Sequence, residues 1–260
     1  MLHATLDSTK TWKQIVDALA TLLTEAHLVV TESGITLHQL DSSKAAMINL
    51  NLPSGVFQEF VCEGEHYVCL GIDELVKISK RMAGDDRLEF NLIKSTDQKT
   101  DQFDRFEIKM LGQAERRFSL QLLTPPEVKS KKPSLTHDIR AEMFADSFKQ
   151  AVKDIGVVSN HIKIAANSES IVFKGEGDTG EAEVSLKKGD DESALFDLKV
   201  DTESQARYSL SYLSEIAKAM SGDSVVLQFS TDKPMVIDFG IAESGRISFL
   251  LAPIVEERRY

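Results

Sequence analysis

The run Gly175-Glu-Gly177-Asp-Thr-Gly180 has the glycine spacing of a loop that cradles a pyrophosphate. That chemistry requires the loop to join a strand to a helix whose N-terminus faces the phosphates. Here the next residues, 182–186, alternate as a strand, and Glu176, Asp178 and Glu181 would repel a phosphate. A hairpin turn is expected instead. Asp190-Asp191-Glu192 could suggest a metal or a carboxylate pair for acid–base work, but no neighbouring residues desolvate or orient it, so a solvated patch is expected. The chain has no phosphate-binding lysine loop, no Gly-Xaa-Ser-Xaa-Gly elbow and no His-Glu-Xaa-Xaa-His pair. The six histidines are scattered, and the two cysteines, Cys62 and Cys69, are too few for a disulfide framework or a structural zinc site. We expect two reduced, partly buried thiols, no catalytic centre and no cofactor.

Charge is the remaining chemistry. The net charge is −11, which at face value argues against nucleic acid. Yet on helical wheels the positions off or opposite the apolar stripe include Lys10, Lys13, Lys77, Lys80, Arg81, Lys149, Lys153 and Lys218. Lysine on one solvated helix face is ordinary. Four related helices sharing the trait in an acidic chain suggest one surface that contacts phosphates without reading bases, with salt-sensitive, sequence-independent binding.

The elements that would position these cations follow from periodicity. A strand over 2–6 leads to a helix over 10–25 with Ile15, Val16, Leu19, Leu22 and Leu23 on its core face. Strands are expected at 28–31, 35–39, 45–52 and 67–70, then a helix over 73–83 with Leu75, Val76, Ile78, Ser79 and Met82 inward and Lys77, Lys80 and Arg81 outward. Strands at 87–92, 105–111 and 116–122 close the first half. Residues 124–136 hold three of the six prolines around Lys129, Lys131 and Lys132 and read as a surface connector, or alternatively as a nuclear-import patch. The second half repeats the plan: a strand over 138–144, a helix over 146–155 with Phe148, Ala151, Val152 and Ile155 inward, strands at 161–165, 170–174, 182–186 and 195–200, a helix over 210–220, and strands at 225–230, 235–242 and 246–252 before a polar tail. Helices set against mostly antiparallel strands give an α+β class.

The two halves also echo each other in letters. Ile78, Lys80, Met82, Gly84 and Asp85 match Ile216, Lys218, Met220, Gly222 and Asp223 at an offset of 138, and Trp12–Val16 answers to Phe148–Val152 at 136. One such pair could be chance likeness of amphipathic helices; two pairs in the same order suggest a duplicated domain. Gly84 and Gly222 fall where a helix C-terminus accepts a left-handed residue. No apolar run approaches a membrane span and no signal-peptide pattern opens the chain, so no membrane partner is expected.

The chain resembles the sliding DNA clamps of archaea and eukaryotes, the proliferating cell nuclear antigen family, and archaeal members more than eukaryotic ones. The resemblance spans essentially the whole chain and is carried by residues 33–43, SGITLHQLDSS, by 49–53, NLNLP, by Ala151-Val-Lys-Asp154 and Tyr212-Leu-Ser214, and most strongly by residues 245–253, GRISFLLAP. It implies two clamp domains, 1–123 and 137–260, joined by the connector 124–136, and a trimeric ring with helices inside and antiparallel sheets outside. The eight cations above would then face duplex DNA. Subunits would join edge strand to edge strand through Phe118 and Leu120 of one copy and Glu181, Val184 and Leu186 of the next. DNA polymerase, flap nuclease, DNA ligase and a clamp loader would dock short peptides in a pocket at Leu40, Ala45, Met47, Val128, Pro234, Leu250, Ala252 and Pro253, with Leu135 as a further candidate; core packing is the rival account for Met47 and Leu250. The linker departs from the family where Lys-Ser-Lys-Lys replaces apolar residues. The resemblance implies a non-enzymatic processivity factor, cytoplasmic and nucleoid-associated in an archaeal-type cell or nuclear in a eukaryote. A subunit of a hetero-oligomeric or checkpoint-type clamp, and a protein-interaction scaffold that never encircles DNA, stay open as alternatives.

Overall fold

A computed structural model describes residues 1–95, 103–125, 133–178, 180–189 and 193–255. Its elements run β1 (Leu2–Leu6), α1 (Thr9–Ala20), β2 (Glu25–Thr31), β3 (Gly34–Leu40), β4 (Ala46–Pro53), β5 (Glu59–Cys62), β6 (His66–Gly71), α2 (Ile72–Ser79), β7 (Arg87–Lys94), β8 (Phe103–Leu111) and β9 (Glu115–Gln121). The series then repeats as β10 (Ile139–Phe144), α3 (Ala145–Ile155), β11 (His161–Ala166), β12 (Ser170–Gly177), β13 (Gly180–Lys187), β14 (Leu195–Val200), β15 (Ser204–Ser209), α4 (Leu210–Ala219), β16 (Ser224–Phe229), β17 (Met235–Ile241) and β18 (Gly245–Leu251). The chain folds as two compact units, one of Met1–Ser42, Ile48–Lys132 and Ile241–Ile247, the other of Ser43–Met47, Pro133–Gly240 and Ser248–Tyr260.

In the first unit an antiparallel sheet runs β5-β1-β7-β8-β9, and β2 pairs with both β3 and β6. α1 and α2 pack on each other and on these strands. Strand alternation turns Leu88, Phe90 and Leu92 of β7 inward. Phe90 meets Trp12 of α1 with ring centroids 4.6 Å apart. The second unit carries the sheet β13-β12-β11-β15, and β10 lies between β14 and β16. Phe148 of α3 packs on Phe173 of β12 at 6.1 Å, and Tyr208, fully buried, donates its hydroxyl proton to the Lys233 carbonyl at 3.1 Å. Cys62 and Cys69 are free and buried, and desolvation pushes both thiols up.

Several expectations need correction. α1 stops at Ala20 rather than near residue 25: the Thr21 hydroxyl donates to Ala18 O at 2.7 Å, and Glu25 already belongs to β2, paired with Gly71. β5 and β15 lie outside the expected strands. β5 is four residues long with only Cys62 buried, and β15 alternates Ser204, Ala206 and Tyr208 inward, where the two small residues carry little apolar signal. Val76 is half-buried rather than inward, while Ile72 joins the stripe of α2. Neither Gly84 nor Gly222 has positive φ. α2 ends instead in tightened turns, with Arg81 N donating to Ile78 O at 2.9 Å and Met82 N to Ser79 O at 3.2 Å, and α4 ends on Met220 in an extended conformation. The glycine run at 175–180 lies in the β12–β13 hairpin, which stays paired down to Gly177 and Gly180, so it is no phosphate loop. Asp190, Asp191, Glu192 and the tail 256–260 lie outside the described residues.

Candidate nucleic-acid interface and assembly edges

Each cation expected to face DNA stands on a helix or on the turn that ends one. The buried stripe of α1 (Trp12, Ile15, Val16 and Leu19 at its centre) fixes the roll of the helix, leaving Lys10 exposed and Lys13 half-buried. Lys13 is tethered: its Nζ donates to the Met82 carbonyl at 3.0 Å, stitching α1 to the turn after α2. α2 has Asp73 and Glu74 in its first turn and Lys77 in its last, the order the helix macrodipole favours. Burial of Leu75 and Ile78 turns Lys77, Lys80 and Arg81 to solvent. Among the described residues, Lys10, Lys77, Lys80 and Arg81 have no side-chain carboxylate within ion-pair distance.

The second unit differs. Phe148, Ala151, Val152 and Ile155 are buried as expected, so Lys153 is exposed and Lys149 half-buried. Lys149 Nζ is 3.1 Å from Asp146 Oδ1, and Lys218 Nζ is 2.6 Å from Glu215 Oε1, both pairs one helical turn apart. The structure thus groups five of the expected cations on the α1/α2 pair and three on the α3/α4 pair, two of these last already matched by acids.

The expected assembly residues lie on sheet margins. Among the described residues β9 pairs only with β8 and β13 only with β12, so each presents one free edge in its own unit. Phe118 and Leu120 are half-buried on the same face of β9, opposite Ile108 and Phe106. Val184 and Leu186 share the half-buried face of β13. Glu181 points to the other face, where its carboxylate pairs with Lys174 Nζ at 3.0 Å and pushes that ammonium up. It therefore does not stand with Val184 and Leu186.

The peptide-pocket residues divide in the same plain way. In the second unit Ala45, Pro234 and Pro253 are half-buried and Ala252 is exposed, with Ala252 N donating to Ala45 O at 2.9 Å and His137 Nε2 at 2.8 Å from the Pro234 carbonyl. Met47 and Leu250 are each only 7 % exposed, so they are core-like rather than an open wall. Leu40, in the first unit, is exposed, and Val128 lies outside the described residues. Leu135 is half-buried. A cavity of about 820 Å³ in the second unit opens elsewhere, among His161, Lys163, Lys174, Arg207 and Ile254.

Comparison with known sequences decides the family. The pattern described as "Proliferating cell nuclear antigen, N-terminal domain" matches residues 1–123, and that of the C-terminal domain matches residues 131–254. The chain belongs to the proliferating cell nuclear antigen family. Its relatives include proteins named DNA polymerase sliding clamp from Thermococcus sibiricus, 34 % identical over 252 residues, and from Pyrococcus horikoshii, 32 % identical; each alignment covers 96 % of this chain and 97 % of the relative. Among solved structures, proliferating cell nuclear antigen from Thermococcus kodakaraensis superposes with a TM-score of 0.88 at 26 % identity, covering 98 % of this chain and 100 % of that one. The protein of the same name from Entamoeba histolytica gives 0.86 at 22 % identity, a likeness of fold.

This member of the family also carries residues that sequence reasoning passes over. Asp86, 2 % exposed, accepts from Ala83 N at 2.7 Å and pairs with Arg116, which is on β9. An acid next to the exposed Asp85 gives no sign of burial, because the partner that makes burial tolerable is thirty positions away on another element. The Met82 carbonyl that takes Lys13 is equally invisible: backbone acceptors leave no trace in side-chain patterns.

Proposed function

We infer that this protein is a DNA sliding clamp: copies join through β9 and β13 into a closed ring of three, and the helices of that ring face duplex DNA. The cationic end of α2, where Lys77, Lys80 and Arg81 are exposed with no carboxylate in ion-pair distance among the described residues of a chain of net charge −11, is the observation that supports the reading most directly. Such a face contacts phosphates and reads no base, and a topological link needs little intrinsic affinity, so weak and rapidly exchanging contacts suit sliding. The role is one of tethering rather than catalysis. Polymerase, flap nuclease, ligase and clamp loader would each dock a short peptide at the second unit's Ala45, Pro234, Ala252 and Pro253, small and half-exposed apolar positions suited to an aliphatic or aromatic anchor. Because the Thermococcus and Pyrococcus relatives are archaeal, we place the protein with the nucleoid.

The test is primer extension by a cognate-type polymerase on primed circular DNA with clamp loader and ATP present, run beside a mass measurement of the free protein. Extension lengthened by the protein together with a trimeric mass supports the ring. A species that stays monomeric at micromolar concentration points to a subunit of a heteromeric clamp, and a trimer that leaves extension unchanged points to a scaffold. Phe118→Ala is expected to lower the trimer fraction on size exclusion by removing apolar area at the β9 edge, at a cost of about 1–3 kcal/mol per interface. An undiminished trimer would assign the edge pairing to other residues.

A further inference from the structure

Asp86 joins three pieces of the first unit. Its Oδ2 accepts from Ala83 N at 2.7 Å, in the turn that follows α2, and also from Arg116 Nη2 on β9. The other terminal nitrogen of Arg116 donates to the Arg81 carbonyl at 2.6 Å. The third piece is the β8–β9 turn: a Cβ at Gly112 would collide with Asp86 Oδ1, so a glycine there makes room for the carboxylate. Asp86 is 2 % exposed, and a carboxylate so deeply buried is tolerated only with this kind of donor set. The planar guanidinium reaches two acceptors at once, which a lysine cannot do.

The two ends of this linkage are the two parts that the sliding-clamp reading uses. Arg116 is the second residue of β9 and shares its face with Phe118 and Leu120. Arg81 and Lys80 are the exposed cations of the turn. The linkage is not part of the duplicated plan: at the repeat offset of 138 the place of Asp86 is taken by Ser224.

We propose that Asp86 and Arg116 are positioning residues that couple assembly to DNA contact: they hold the backbone of 81–83 in the posture that presents Lys80 and Arg81, and pairing of β9 with a neighbouring subunit stiffens that posture. This rests on the ring reading above. A lone edge strand frays easily, and a strand paired on both sides does not. With Arg116 anchored by the pairing, the Arg81 carbonyl is anchored directly and the Ala83 amide through Asp86. Coupling of this kind is reciprocal, so DNA held by the turn also favours the assembled ring.

The experiment combines two readouts. Amide exchange of Arg81, Met82 and Ala83 is followed in the wild-type chain above and below its assembly midpoint, and duplex binding is titrated against salt for wild type, Asp86→Asn and Arg116→Lys. We expect wild-type exchange at these amides to slow several-fold on assembly. Both variants should lose that slowing, and their log–log salt slopes should be shallower by roughly one to two, about 0.9 for each phosphate no longer neutralised. A purely structural cap would lower thermal stability and leave the slope of the assembled form unchanged. Exchange that ignores assembly in the wild type, or variants that assemble and keep the wild-type slope, would overturn the coupling. Should Asp86→Asn fail to fold, Arg116→Lys still tests the two-acceptor fork, and the wild-type exchange needs no variant. A wild type that neither assembles nor binds duplex brings down the ring reading itself, whereas one that does both beside indistinguishable variants brings down the coupling alone.

Discussion

The two helix pairs share one plan and are charged differently. α1 and α2 expose Lys10, Lys77, Lys80 and Arg81 without a carboxylate partner among the described residues, while α3 and α4 set Asp146 beside Lys149 and Glu215 beside Lys218. Counting cations per helix would rank the halves by number only. The structure ranks them by availability, because an acid one turn away already offsets much of a lysine's field at the surface and must be displaced before a phosphate gains the full interaction. The first unit therefore should carry more of the DNA binding than its share of the cations.

The sharpest way to break that comparison is to reverse each set. Lys77→Glu, Lys80→Glu and Arg81→Glu together should weaken duplex binding roughly a hundredfold near physiological salt and flatten the salt slope by about 2.7, at 0.9 per phosphate. Lys149→Glu, Lys153→Glu and Lys218→Glu should cost no more than roughly tenfold, since two of the three are already paired. Fluorescence anisotropy over a salt series reads both. Equal losses from the two sets would mean that the ion pairs on α3 and α4 open at no cost and the distinction is empty.

A smaller effect comes from removing the acids instead. Asp146→Asn with Glu215→Gln leaves the helix spacing intact and frees Lys149 and Lys218. Binding should tighten by a few-fold and the slope should steepen by about one to two. The same titration checks it, and an unchanged slope would show that these lysines never reach phosphate.

Much of this contrast is legible in the letters, and the illegible part has a physical pattern. Phe148, Ala151, Val152 and Ile155 sit at helical spacing and are all buried, so α3 follows from periodicity alone. The expected α1 overruns because Leu22 and Leu23 continue its apolar spacing, whereas the chain turns at Thr21 to supply β2. The strand expected up to Ala242 runs into the β17–β18 turn. That turn puts Ala242 and Glu243 at φ 51° and 59°, with neither the Asn nor the Gly that usually marks such a turn. Wheel position finds the eight cations, but Asp146 and Glu215 can be weighed only once distances are known. Asp86 and Arg116 escape altogether, because a long-range ion pair has no period.

The comparison can be narrowed to one helix. Lys10 and Lys13 both lie off the core face of α1, yet Lys10 is exposed and Lys13 gives its ammonium to the Met82 carbonyl. Lys13→Met keeps the aliphatic stem and deletes that hydrogen bond, so it should lower stability by about 1 kcal/mol, the net worth of a typical intramolecular hydrogen bond. Its effect on duplex binding should fall below that of Lys10→Met, since a cation held on a carbonyl must leave it to meet a phosphate. Denaturant melts and anisotropy on the two single variants separate the roles. If Lys13→Met melts like wild type and weakens binding as much as Lys10→Met, the tether opens freely in solution, and both lysines belong to the same phosphate-facing set.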